Sequence, residues 1–291
     1  MQPTSDRERA LTLVGLDQGW SDLKSGKTIK DQALVLLGGL PRAHLTTIES
    51  AIMVLAEQVE ADGQQRSEQG CELDYHNRDH VRDVLVALKL LVEACPNILS
   101  AEDLQLTVLA MVGHDLGHDG LPNRTPRELE IQSWEMVRDL LEPLRLPRQA
   151  LRRVRSTILM TDPKDYHRLA KRRRNSALSI QIGLAVDADL FASLLPSRGF
   201  MLGARLAEEQ VRAGLPQAKA LATLQGRSGF LKYVPLLSDA IRSLGMQGLI
   251  DAQLSVIDQL DEAERLRPWA PDWGDEFAGL VHDHVRAGKS I

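Results

Sequence analysis

"YHNRDHVRDVLVALKLLVEA", residues 75–94, is the stretch that decides the fold. Its second half repeats apolar residues every three or four positions, the period of one helix face, without strand-like alternation. Its first half carries two histidines four apart, His76 and His80, with Asp79 and Asp83 close by. On a helix, residues i and i+4 share a face, so the spacing predicts that both imidazoles point the same way. Alone this is a weak signal, because most such pairs are structural or exposed.

The same period recurs on either side. It runs through "HLTTIESAIMVLAEQVEA" (44–61), "AEDLQLTVLAMVGHDLGH" (101–118), "RELEIQSWEMVRDLLEPL" (127–144), "RQALRRVRSTILM" (148–160) and "NSALSIQIGLAVDADLFASLL" (175–195). It continues in "FMLGARLAEEQVRAG" (200–214), "FLKYVPLLSDAIRSLG" (230–245), "LIDAQLSVIDQLDEAERL" (249–266) and "WGDEFAGLVHDHVRAG" (273–288). Ser100 and Asp103 predict a capping box. Alternating segments flanked by hairpin turns are missing. The prediction is an all-α fold, a compact domain of ten or more helices. Punctuation is short, as in Gly38-Gly39-Leu40-Pro41 and Pro196-Ser197. Residues 1–40 read as a less regular helical lead-in, and 41–291 as the main domain.

A second cluster, "GHDLGHDGLPN" (113–123), holds His114, Asp115 and His118 at the end of an apolar helix. A His-Asp pair there is costly unless paired or coordinated. A third lies in "IGLAVDADLFASLL", where Asp187 and Asp189 interrupt an apolar helix. A buried carboxylate without a partner wants a cation. Imidazole nitrogen with carboxylate oxygen suits zinc, manganese, iron or cobalt. Few protein ligands leave positions for water, which marks catalysis.

Composition narrows the classes. The net charge is −5, against the basic balance of duplex-binding proteins. The two cysteines, Cys71 and Cys95, form no paired motif, and no N-terminal segment resembles a signal peptide, so the cytoplasm is the expected compartment. No apolar run is expected to span a membrane. The basic run "RLAKRRRN" (168–175) reads as a solvated loop or helix end, with a phosphate patch as the alternative.

The order His…His-Asp…Asp, spread over separate helices, resembles the HD superfamily of metal-dependent phosphohydrolases. "YHNRDHVRDV" is similar to the Tyr-His-Asn-x-x-His-x-x-Asp-Val motif of the class I cyclic-nucleotide phosphodiesterases. "HDLGHDGLPN" resembles their His-Asp-x-x-His-Pro-Gly-x-x-Asn, with Asp119 in place of proline. "ILMTD", "ADL", "RLAEEQVRAG" and "GFLKY" resemble further family segments in the same order, from about residue 75 to 233. The resemblance implies a compact all-α HD/phosphodiesterase-like domain and an enzyme with two divalent metals. The first, zinc in most members and iron in some HD proteins, would be held by His80, His114, Asp115 and Asp189. The second, magnesium or manganese, would be bridged to it by Asp115. A hydroxide between them would attack phosphorus, His76 would protonate the leaving oxygen, and Glu209 would orient His76. His118, Asn123, Glu130, Thr157 and Asp162 would support the ligands and waters.

The purine end departs from the family. Arg227 stands where the purine-reading glutamine is usual, and Ala192 where an asparagine is usual. Phe230 and Leu206 are left as the walls of an apolar slot. Arg227 is therefore expected to set the substrate class, since a guanidinium donates only and favours an acceptor-rich partner. The implied partner is a small-molecule phosphodiester rather than a nucleic-acid duplex or a membrane, with a homodimer left open. The alternatives are an HD nucleotidase or phosphomonoesterase, a di-iron HD oxygenase, and an inactive ligand-binding module.

Overall fold

The structure is a computed structural model that describes residues 5–38, 46–171 and 176–288. Most of the Gly38–Pro41 punctuation, and the end of the basic run at 172–175, lie outside the described residues. The described chain is all-α, as the apolar period predicts. In order, its helices are α1 (Asp6–Gln18), α2 (Trp20–Lys24), α3 (Ile29–Leu37), α4 (Thr47–Glu68), α5 (Arg78–Ala94), α6 (Ala101–Gly113), α7 (Glu128–Leu141) and α8 (Arg148–Ile158). They continue with α9 (Tyr166–Ala170), α10 (Ala177–Leu194), α11 (Pro196–Arg212), α12 (Leu224–Tyr233), α13 (Asp239–Ser243), α14 (Met246–Gln259), α15 (Glu262–Leu266) and α16 (Pro271–Arg286).

Several stretches that read as one helix are two. Pro235 ends α12, because proline pushes the preceding Val234 out of the helical region, to φ −73° and ψ 125°. Asp261 closes a capping box with Glu264 and so starts α15 afresh after α14. Ser100 accepts the Asp103 amide at 3.1 Å and caps α6. In α10 the structure corrects the membrane expectation. Among the described residues this helix is long and apolar enough to cross a bilayer by length and composition, yet 67% of it is buried in the protein, like a core helix.

The chain forms two compact units, and their division differs from a boundary at residue 40. One is residues 24–189; the other joins residues 1–23 to 190–291. In the first, α3 packs on α4 and α5, and α6 lies against α4 and α8. Its core is Ile52, Leu55, Leu85, Leu88, Leu106 and Leu109, each at most 1% exposed. In the second, α1 packs against α14 and α16, and α16 packs against α11. Phe200 and Phe277 meet edge to face there, with centroids 6.2 Å apart. The lead-in is thus not separate: α1 buries Ala10, Leu13 and Val14 among the C-terminal helices.

The second unit also contains a tight corner. α10 ends at Leu194 and α11 begins at Pro196. The carbonyls of Ser193, Leu194 and Leu195 accept from Arg227 at 3.2, 3.3 and 2.6 Å, while Arg227 Nε donates to Gln253 at 3.0 Å. On the other side, the Asp17 carboxylate accepts the Ser197 and Arg198 amides at 2.7 and 3.0 Å. A cation at a helix C-terminus and an anion at an N-terminus complement both dipoles. Gly199 is required because a Cβ there would collide with the Ser193 carbonyl and the Arg227 guanidinium. Burial pushes the Arg227 pKa down to about 9 and that of Asp17 up. This corrects the sequence reading of Arg227. It is a buried corner brace, 4% exposed, with its fork spent on backbone and Gln253 rather than offered to a substrate.

Candidate metal centre

His80, His114, Asp115 and Asp189 meet in the unit of residues 24–189. The resemblance chose these four, and the fold brings them together from α5, the end of α6 and α10. His80 Nε2 lies 3.0 Å from Asp189 Oδ1 and 3.4 Å from Asp115 Oδ2. His114 Nε2 lies 3.2 Å from Asp115 Oδ2 and 3.4 Å from Asp189 Oδ1. A tetrahedral cation with ligands at about 2.0–2.1 Å sets its donor atoms about 3.3 Å apart. Four donor pairs have distances of this size, and His80, His114 and Asp189 offer ligand atoms that all lie within 4.8 Å of one another.

The fit has a second support. His114 Nε2 and Asp115 Oδ2 are buried with no hydrogen-bond partner among the described residues. Buried polar atoms of this kind suit a bound water or ion. His114 Nδ1 lies 2.8 Å from the Met111 carbonyl, which keeps a proton on Nδ1 and leaves Nε2 as the atom that faces Asp115 and Asp189. Burial opposes charge at His114, Asp115 and Asp189. The adjacent Asp115 and Asp189 nonetheless hold the His114 pKa well above its usual value. The imidazoles in turn hold Asp115 well below the carboxylate range and Asp189 at about 2. Two ionised carboxylates on two buried imidazoles form an anionic donor set suited to a divalent cation.

His76 departs from the expected helix face. α5 starts at Arg78, because Asn77 Oδ1 accepts the amides of Asp79 and His80 at 2.8 and 3.1 Å and so caps the helix. His76 precedes the cap and is free of helical geometry. Its ring stacks on His118 with centroids 3.6 Å apart and planes 17° apart, while its centroid is 6.2 Å from that of His80. The Gly120 amide donates to His118 Nδ1 at 3.0 Å, which leaves the proton of a neutral His118 on Nε2. A cavity of about 50 Å³ adjoins His76, Asp115 and His118, with room for bound water.

The crowded first turns of α5 sort into stripes. Arg78 and Arg82 reach back to α4 and its loop. Arg78 pairs with Glu72 at 2.8 Å, and Arg82 with Glu60 at 2.7 Å. Asp79 and Asp83 form the next stripe and meet Lys24 at 2.7 and 2.6 Å. His80 forms the third.

The supporting residues fall into two groups. Asn123 donates to Glu130 at 2.9 Å and accepts the Leu129 amide at 2.8 Å, which ties the loop after His118 to α7. Glu130 stands near Asp115. Burial pushes its pKa up to about 7, with Asp162 and Asp115 adding to the rise. Thr157 and Asp162 instead serve the backbone. Thr157 donates to the Arg153 carbonyl at 3.0 Å, and Asp162 accepts the amides of Arg127 and Lys164 at 2.8 and 2.9 Å. Asp162 thereby holds Arg127 at its positive φ of 62°, where α7 begins. Asp119 makes a turn by accepting the Leu121 amide at 2.9 Å.

Glu209, Leu206, Phe230 and Arg227 belong to the other unit. Glu209 is 2% exposed. Leu206 and Phe230 are half-buried on α11 and α12. One neighbour of the centre escapes the motifs. Tyr166 is 3% exposed and donates to the Thr161 carbonyl at 2.9 Å, and burial together with the Asp189 charge pushes its pKa well above the usual value.

Glu130→Gln tests the electrostatics. A carboxyl whose pKa rises on folding favours the fold below its ordinary value near 4.5, and that stability is lost as pH climbs through about 7. In chelator-treated protein, the variant is therefore expected to be more stable than wild type at pH 8, by on the order of 1–3 kcal/mol, and equal to it near pH 4.5. Urea titrations at the two pH values measure this. A constant difference would place Glu130 in water.

No protein-family model matches the chain, and no curated protein does. Among solved structures, the chain is similar to LmjPDEB1 in complex with IBMX. The two are 14% identical, with 99% of this chain and 97% of that chain covered and a TM-score of 0.44.

Proposed function

We propose that the protein is a metal-dependent phosphohydrolase acting on a phosphodiester. The observation that carries this reading is the cluster of His80, His114 and Asp189, with Asp115 against both imidazoles and two atoms of the cluster orphaned. These four would hold a first cation, zinc or iron, and Asp115 would be shared with a second, magnesium or manganese. Two such cations lower the pKa of a shared water and neutralise charge on phosphoryl oxygens.

The remaining work falls to the chain's own groups. His76 sits outside the ligand set yet next to Asp115, and is proposed to protonate the departing alkoxide. Its stack on His118 restricts the ring while leaving its nitrogens at the edge. Asn123 and Glu130 hold the loop that carries Asp115 and His118.

The test is hydrolysis of bis(p-nitrophenyl) phosphate and p-nitrophenyl phosphate by protein reconstituted with zinc plus magnesium or manganese. The proposal expects a metal-dependent rate that favours the diester. A rate confined to the monoester would move the protein to the nucleotidases. Oxygen consumption by the iron form would move it to the oxygenases. A bound metal with neither activity would leave a ligand-binding module.

His76→Ala is expected to keep its metal and lose about 10²–10⁴ in turnover on a diester with an alkoxide leaving group. The loss on a nitrophenolate, which leaves without a proton, is expected to be smaller. Equal losses on both, or loss of the metal, would remove His76 from that role.

A further inference from the structure

Lys24 has no place in the motifs around the metal centre, yet it is among the most constrained charges in the molecule. Its side chain is 7% exposed, and its Nζ lies 2.7 Å from Asp79 and 2.6 Å from Asp83. Asp83 is 1% exposed and Asp79 is 35% exposed. A buried ammonium between two carboxylates, one of them fully buried, is tolerated only where the geometry holds all three. The two acids lie on either side of His80 in the sequence. At i and i+4 they share one stripe of α5, and Lys24 grips both ends of it.

We propose that Lys24 is a positioning residue for the metal centre. It clamps the first two turns of α5 from one side, as Glu60 and Glu72 hold Arg78 and Arg82 from another. His80 is thereby fixed in rotation and along the helix axis, with Nε2 facing Asp115 and Asp189. Lys24 also neutralises Asp79 and Asp83, the two carboxylates that flank His80 in the sequence, so that they do not draw the His80 ring away from Asp115 and Asp189. This inference rests on the metal-centre reading and deepens it.

The experiment uses the full chain and Zn²⁺ alone, titrated against a chromophoric chelator. Co²⁺ absorption in the visible then reports how tetrahedral the site is. Lys24→Met is expected to weaken Zn²⁺ binding about 10–100-fold, the range for partners that orient a ligand from outside the ligand set, and to lower the Co²⁺ band. Lys24→Gln keeps one donor and retains the fold more readily; it is expected to show a smaller loss of the same kind. Lys24→Arg, which restores the charge, is expected to recover most of the affinity. If either the Met or the Gln variant is folded by circular dichroism yet binds Zn²⁺ like wild type with an unchanged Co²⁺ band, the positioning role is overturned and the metal centre stands. If wild type itself binds neither ion, the metal reading fails and this inference with it.

Discussion

Asp189→Ala is expected to leave the protein unable to retain zinc through gel filtration and to abolish hydrolysis of a diester. Asp189 Oδ1 lies 3.0 and 3.4 Å from the two imidazole Nε2 atoms, so removing it deletes one vertex of the donor set. The remaining donors keep Asp115 as their sole carboxylate. The loss of affinity should exceed the roughly 10–100-fold that follows removal of an outer partner. Asp187→Ala is the control. Two residues along a helix turn the side chain by about 200°, so Asp187 faces away from the centre. It is 1% exposed and has contacts of its own, so its removal should lower stability while the metal stays. Metal content by atomic emission separates the outcomes. Equal zinc in the Asp189 variant and wild type would reject the ligand set.

Arg227→Met is expected to lower stability by about 3–5 kcal/mol, the cost of removing one partner from a buried charged network. For units of this size, that is a fall in melting temperature of roughly 10 °C or more. The variant leaves the carbonyls at 193–195 and the Gln253 side chain without their donor, and Asp17 without its nearest buried cation. Arg227→Gln should fail in the same way, because one amide cannot span the same acceptors. Where folded protein survives, its preference among cyclic AMP, cyclic GMP and an aryl diester should match wild type. A changed preference at unchanged stability would return the guanidinium to the substrate site.

These two positions show how far the sequence can be read. The residues that meet at the candidate centre were legible because each motif is local. A His-Asp pair at the end of an apolar helix, and a carboxylate inside another, are anomalies visible without knowing what lies opposite. Arg227 was misread because its surroundings come from α10 and α14, far along the chain, and local spacing carries no sign of them. Lys24 was invisible for the same reason, since its partners lie 55 and more residues away. His76 was misplaced by one element. Histidine spacing fits a helix, but Asn77 wins the local competition, because an Asn side chain meets the free amides of a first turn better than one more helical residue would. Helix boundaries at Pro235 and Asp261 were written in the sequence and overlooked in favour of the apolar period.

The brace at the corner between α10 and α11 also dictates when the molecule is completed. Asp17 leaves the ribosome well before the amides it caps, at 197 and 198, which emerge only after all of residues 24–189. At roughly 5–20 residues per second, α1 waits on the order of ten seconds or more with its apolar face uncovered. The unit of residues 24–189 has its whole sequence by then. The return of α1 to a partner made much later is therefore expected as a late step of folding. Refolding should show a slow docking phase that a chain permuted to place residues 5–23 after residue 288 would shorten.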